Sequence, residues 1–195
     1  MTKNKFYTKF ADYDMNFLDA VYRVLMLEGG ISDDKDDKGG YTKFGISRAF
    51  FKINKRKMIE EGIVKESDDV KNLTIEQAVA IYYRFFWMPL KCERLENKFV
   101  KSYLFDSGVN MGIGVAVMLL QKAINRVSDS AIVVDGIIGS VTIYEANKLG
   151  GKLNLEFVRE RVNRYVYISK KRNKVKFLRG WVSRAFAWND LIEIC

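Results

Sequence analysis

Apolar residues recur along most of this 195-residue chain at the three-and-four spacing of helices, except in one stretch where that period vanishes. Met15, Leu18, Val21, Tyr22, Leu25 and Met26 mark the first helical run, over Asp12 to Leu27, with Asp12 or Asp14 placed to cap its start. Residues 29 to 46 carry no such period. Gly29-Gly30, aspartates at 33, 34, 36 and 37, Gly39-Gly40 and Tyr41-Thr42-Lys43-Phe44-Gly45-Ile46 predict a long turn or an irregular hairpin. Ser47 reads as the cap of a helix through Phe50, Phe51 and Ile53 toward Met58, and Asn54 to Asn72 as partly looped. Thr74-Ile75-Glu76-Gln77 has the capping-box form and opens a helix that stops at Trp87-Met88-Pro89, because proline cannot continue the hydrogen-bond ladder.

Lys98 to Asn110 and Gly112 to Val127 predict two further helices, the second apolar enough to be buried on most sides. Asp135-Gly136 predicts a turn, Gly139-Ser140 the start of a helix to Lys148, and Gly150-Gly151 a break. A long helix follows over Asn154 to Arg172, then a segment with Trp181, Phe186 and Trp188. The fold class is therefore mainly α, with a small β-hairpin or irregular β element after the first long helix.

Composition narrows the chemistry. Hydrophobic content of 48% with 29% charged residues is that of a globular chain rather than a disordered one. The sequence has no histidine, which excludes Ser-His-Asp and Cys-His catalysis and histidine metal sites. Acid–base work must run on carboxylates, Tyr, Lys or Cys. Cys92 and Cys195 form no metal pattern, and free buried thiols are expected. The net charge of +9 favours polyanionic surfaces. Lys52, Lys55, Arg56 and Lys57 form a short basic run, but no nucleic-acid-binding module accompanies it. Met1 to Phe10 has no apolar core of a signal peptide, and Val115 to Leu120 falls far short of the roughly 20 residues of a membrane span. A cytoplasmic product without stable membrane insertion is expected.

Glu28 ends the first helix, where the macrodipole disfavours an anion, and it stands beside the richest cluster of carboxylates in the chain. It is the candidate general acid. Four aspartates in five positions also suit a hard cation such as Ca²⁺, but they lack the EF-hand spacing and closing glutamate, so neither metal nor cofactor is expected.

Glu28-Gly29-Gly30, Asp34, and Asp37-x-Gly39-Gly40-x-Thr42-x-x-Gly45-Ile46 resemble the family 108 glycoside hydrolases. These are lysozyme-like N-acetylmuramidases found among phage endolysins and bacterial proteins labelled secretion activators. Ile31 stands where the family has tyrosine, and Lys35 and Lys38 where it has prolines. The resemblance continues through Ile81 to Trp87, Phe105-Asp106-Ser107-Gly108-Val109-Asn110-Met111-Gly112 and Gly180-Trp181-Val182-x-Arg184. Leu120-Gln121-Lys122-Ala123 with Val134-Asp135-Gly136-Ile137-Ile138-Gly139-Ser140-Val141-Thr142 resembles the peptidoglycan-binding region paired with this family.

The resemblance implies a lysozyme-like fold and bacteriolytic cleavage of the β-1,4 bond after N-acetylmuramic acid in peptidoglycan glycan strands. It implies one unit over 1–195, with a catalytic lobe over 12–95 and a helical lobe over 97–185. Glu28 would be the acid. Asp37, nine positions on as in certain phage lysozymes, would hold the water or steady the oxocarbenium charge, with Asp34 as the alternative and Thr42 orienting the water. Tyr41 and Trp87 are candidates to stack on sugar rings, as is Tyr82, and Asp106 and Asn110 to line the cleft or, equally, to tie helices together. Two rival readings remain open: a lytic transglycosylase, and a non-catalytic peptidoglycan-binding or secretion-regulating protein. The target wall, the route across a membrane and the oligomeric state are not legible in the sequence.

Overall fold

A computed structural model describes residues 1–28, 31–32, 41–171 and 173–192. Two compact units divide the chain, Met1–Phe85 and Phe86–Cys195.

The first unit opens on α1 (Lys3–Lys9), which the periodicity did not announce. It is held by a ring cluster in which Phe6 packs on Phe10 and Tyr22. α2 (Met15–Leu27) begins where the Asp14 carboxylate accepts from the backbone N–H of Asn16 at 2.9 Å and Phe17 at 3.3 Å. Its buried side is Phe17, Leu18, Ala20, Val21 and Val24, whereas Met15 and Met26 face solvent. The aromatic at 17 replaces the methionines as the helix's anchor because Tyr83 packs edge-on and Tyr13 tilted against it.

Three two-residue strands follow: β1 (Ile31–Ser32), β2 (Thr42–Lys43) and β3 (Ile46–Ser47), antiparallel in the order β1-β2-β3. Ile31 pairs with Lys43 and Ser32 with Thr42, then Thr42 with Ser47 and Lys43 with Ile46. The two-residue turn between β2 and β3 has φ +53° at Phe44 and +78° at Gly45. Positive φ at both positions is the type I′ turn, whose twist matches that of the strands.

α3 (Arg48–Glu60) is capped by the Ser47 hydroxyl, which accepts from Phe50 N at 3.2 Å. Its end is set by Gly62 at φ +70°: Gly62 N donates to Ile59 O and Ile63 N to Met58 O, the paired bonds of a Schellman motif. The helix thus runs into the stretch expected to loop. α4 (Ile75–Tyr82) starts with the expected capping box, Gln77 N donating to Thr74 Oγ1 and Thr74 N to Gln77 Oε1. It widens into a π-helical turn over Tyr83–Trp87 before Pro89.

In the second unit, α5 (Lys98–Met111) is buried at every residue from Phe99 to Gly108. The fully buried helix is therefore this one and not α6 (Ile113–Val127), which presents Lys122 and Arg126 to solvent. Small residues make this possible. A Cβ on Gly108 would lie 2.7 Å from Leu90 Cδ1. α6 packs on α5 and on α8 (Leu153–Lys171), with α7 (Ser140–Leu149) beside α6 and α9 (Val175–Phe186) against α8.

The loop before α7 is organised by one side chain of α6. Gln121 Nε2 donates to Asp135 Oδ1 at 2.8 Å and Ile137 O at 3.2 Å, and its Oε1 accepts from Gly136 N at 2.9 Å. The Asp135-Gly136 turn is structural in this sense. Cys92 is a buried free thiol, as expected; Cys195 lies outside the described residues.

The capping box gives a direct stability test. Thr74→Ala removes one of its two bonds and is expected to lower unfolding free energy by about 1 kcal/mol. Urea denaturation with an unchanged m value checks this.

Candidate active site

Glu28 is the last residue of the α2 hydrogen-bond ladder, its N–H donating to Val24 O at 2.9 Å, and its side chain is half-buried. The side chain lies against the β2–β3 turn. A Cβ on Gly45 would fall 2.5 Å from Glu28 Cγ and 2.9 Å from its carboxyl carbon, and would also strike the Tyr82 hydroxyl. Only a residue without a side chain lets the three groups meet, and the same position demands positive φ. Tyr82, 1% exposed at the end of α4, donates its hydroxyl to Phe44 O at 2.7 Å and so pins the turn. A glutamate at a helix end, a tight antiparallel turn and a buried tyrosine thus form one assembly.

Around it, Thr42 is half-buried in the central strand between Ser32 and Ser47. Tyr41 is half-buried as well, with the Lys71 ammonium 5.4 Å from its ring centre and its carbonyl accepting from Arg48 N. Lys43 Nζ donates to Lys71 O at 2.9 Å, which ties the hairpin to the loop before α4. Asp34 and Asp37 lie outside the described residues. A separate open cleft of about 690 Å³, lined by Tyr13, Glu61, Glu76, Gln77 and Arg84 among others, does not include Glu28. Each of its carboxylates has a basic partner, Glu60 in Arg56, Glu61 in Arg84 and Glu76 in Lys9.

The remaining candidates belong to the second unit. Trp87 is 1% exposed and meets Phe105 edge-on at 5.6 Å, a core position that offers no face to a sugar. Asp106 is fully buried. One of its oxygens meets Arg161 Nη1 at 2.6 Å, and the other takes Arg184 Nη2 at 2.7 Å and Nε at 3.1 Å. Arg161 Nε donates to Tyr165 Oη at 3.0 Å, and Tyr165 donates on to Asn110 Oδ1 at 2.7 Å. Trp181 stacks on Tyr165. Phe105-Asp106…Asn110 and Trp181…Arg184, motifs 70 or more residues apart, therefore meet as an internal clamp that fastens α9 and α8 to α5. Asp106 and Asn110 tie helices, the second of the two roles the sequence allowed.

Sequence reasoning missed Gly45 as a contact of Glu28, and Tyr82 as its support. The signal for Gly45 was present in the Gly-Gly-x-Thr-x-x-Gly-Ile spacing. Nothing local distinguishes Tyr82 from the other aromatics of its helix.

Gly45→Ala is expected to cost at least about 1–2 kcal/mol from positive φ alone and to displace the Glu28 side chain. Tyr82→Phe should cost about 1 kcal/mol and leave the fold intact, read by thermal unfolding. In the clamp, burial alone would push the Asp106 carboxyl up, but Arg161 and Arg184 outweigh it and hold it below the usual aspartate range. A depressed folded-state value gives stability that is fully present above about pH 4 and is lost as pH falls through it. Asp106→Asn should therefore flatten the acid limb of stability against pH by up to one proton, measured by denaturant titrations from pH 5 to 2. Arg184→Met, which leaves Asp106 Oδ1 without its Arg184 donors while Arg161 still balances the charge, is expected to cost about 1–3 kcal/mol.

A solved structure, that of SagA from Brucella abortus, is similar to this chain at 26% identity and a TM-score of 0.63, covering 88% of this chain and 94% of the other. No curated protein sequence matches. The model of the glycosyl hydrolase 108 family matches residues 21–112, and that of a predicted peptidoglycan domain matches residues 115–186. The first match holds Glu28, the hairpin and Tyr82; the second holds Gln121, the Asp135 turn and Arg184. The chain thus carries a glycosyl hydrolase 108 region at residues 21–112 and a predicted peptidoglycan domain at residues 115–186, and its function is peptidoglycan-related.

Proposed function

We propose that this protein is an N-acetylmuramidase that cleaves the β-1,4 bond between N-acetylmuramic acid and N-acetylglucosamine in peptidoglycan. The observation that carries the reading is the seat of Glu28: a half-buried carboxyl at the end of α2, packed on the Gly45 turn that Tyr82 holds. Glycoside cleavage needs a proton delivered to the leaving oxygen by a group of fixed position. Here the backbone on both sides of that group is fixed, by the helix ladder on one side and the I′ turn on the other. The protonated Glu28 carboxyl gives its proton to the glycosidic oxygen as the bond to the anomeric carbon breaks. A carboxylate then steadies the oxocarbenium charge or directs water to it. Asp37 is the proposed second carboxylate, Asp34 its alternative, and Thr42 is proposed to orient the water. Tyr41 is the remaining candidate for contact with a sugar ring.

Peptidoglycan suits the electrostatics, because a net charge of +9 draws the protein to a wall rich in anions. No described helix is long and apolar enough to cross a membrane. Glu28→Gln keeps the shape of the side chain and removes its proton transfer. Its clearing of purified cell walls should fall at least about 100-fold, and full retained lysis would refute the assignment. Mass spectra of the released muropeptides should show reducing muramic ends. Anhydro-muramic ends would mean transglycosylation. Raising salt from 50 to 500 mM should weaken sedimentation of the protein with walls.

A further inference from the structure

α6 and α8 leave a groove on the second unit that the clamp and the proposed catalytic assembly do not use. Its volume is about 270 Å³, and its lining is Leu119 and Lys122 from α6 with Glu160, Asn163, Arg164 and Tyr167 from α8. The α8 positions follow the spacing of one helix face, so the groove is a continuous feature of that face. Glu160 is already neutralised, because Arg126 bonds its carboxylate. Lys122 and Arg164 are different. Among the described residues, neither has an acidic partner.

Arg164 is also held in an unfinished state. Its guanidinium rests 5.8 Å from the Tyr167 ring centre, and its Nε is cut off from solvent with no hydrogen-bond acceptor. Two cations, an amide at Asn163 and an apolar wall of Leu119 and the Tyr167 ring describe a site for a carboxylate attached to an amide-bearing chain. The volume lies just below the roughly 300 Å³ at which sites for drug-sized ligands begin, so the groove takes the end of a chain rather than a length of polymer.

We propose that this groove binds the free carboxylates of a peptidoglycan stem peptide. In peptidoglycan the lactyl carboxyl of each muramic acid that carries a stem is consumed in the amide to that stem, so the glycan there is neutral and the free carboxylates sit on the peptide. The choice of peptidoglycan as the source rests on the function proposed above, whereas the recognition of a carboxylate rests on the groove alone. The groove holds a wall fragment by its peptide, independently of the bond that Glu28 attacks.

Titration calorimetry on the full chain tests this with three probes: the pentapeptide L-Ala-γ-D-Glu-L-Lys-D-Ala-D-Ala, the same peptide with both free carboxyls amidated, and peptide-free glycan strands. The pentapeptide should bind, the amidated form should not, and Arg164→Gln and Lys122→Gln should each weaken binding roughly tenfold. Lys122 is exposed, so its variant separates loss of the site from loss of the fold, with circular dichroism as the control. No binding of the pentapeptide, equal binding of the amidated form, or undiminished binding by both variants overturns the site. So does glycan binding that falls with the same two substitutions. Clearing of walls by the unmodified protein is read in parallel. Lysis without pentapeptide binding removes the groove and leaves the muramidase reading, and pentapeptide binding without lysis does the reverse.

Discussion

The missing side chain at residue 45 is the constraint on which the first unit depends. The Glu28 side chain and the Tyr82 hydroxyl crowd the space beside the β2–β3 turn where a Cβ would stand. Three separate elements are brought to that point by different local rules. Asp14 caps the helix that delivers Glu28, the I′ turn supplies Gly45, and the Thr74 capping box starts the helix that delivers Tyr82. Each device contributes only about a kilocalorie, yet none can shift without disturbing a neighbour. The result is a carboxyl group whose position is set by backbone geometry, which is what a proton donor to a defined glycosidic oxygen needs.

The second unit solves a different problem. Its central helix is buried along ten consecutive positions, 99 to 108, and Asp106 sits among them. An isolated carboxylate there would be prohibitively costly, so the chain supplies Arg161 from α8 and Arg184 from α9. The pairing need not stabilise more than apolar packing would. It does specify which faces of α8 and α9 meet α5, because any other arrangement leaves a charge buried alone. The Gln121 hub performs a similar task for the loop before α7, satisfying backbone and side-chain groups that a loop against the core would otherwise orphan.

Both units carry polar motifs that look alike on paper and behave differently. Glu28 and Asp106 are each an acidic residue in a stretch resembling the same hydrolase family, and both lie inside its matched region. One is half-buried at a helix end; the other has no exposed surface and two arginines. Burial separates a carboxyl group partly open to solvent from one that organises packing.

The sequence by itself determined a great deal. Apolar period, caps and glycine placement marked the helices from α2 to α8, because these are signals a segment carries within a few residues of itself, whereas the α9 segment showed only its aromatic positions. Absence of histidine left acid–base chemistry to carboxylates, Tyr, Lys or Cys, and the spacing from Glu28 to Ile46 indicated a helix end beside a small antiparallel element. Short-range signals also failed in identifiable places. α1 with its C-cap holds two phenylalanines four apart, which make no run, and apolar content does not mark the burial of α5, whose buried residues include Ser102, Asp106 and Ser107. What only the tertiary structure decided was which side chains meet. Tyr82 reaches Phe44 from 38 positions away, and Arg184 reaches Asp106 from 78. No local period encodes such distances. They follow from packing, where the low-dielectric interior makes each unpaired polar group too costly to leave without a distant partner.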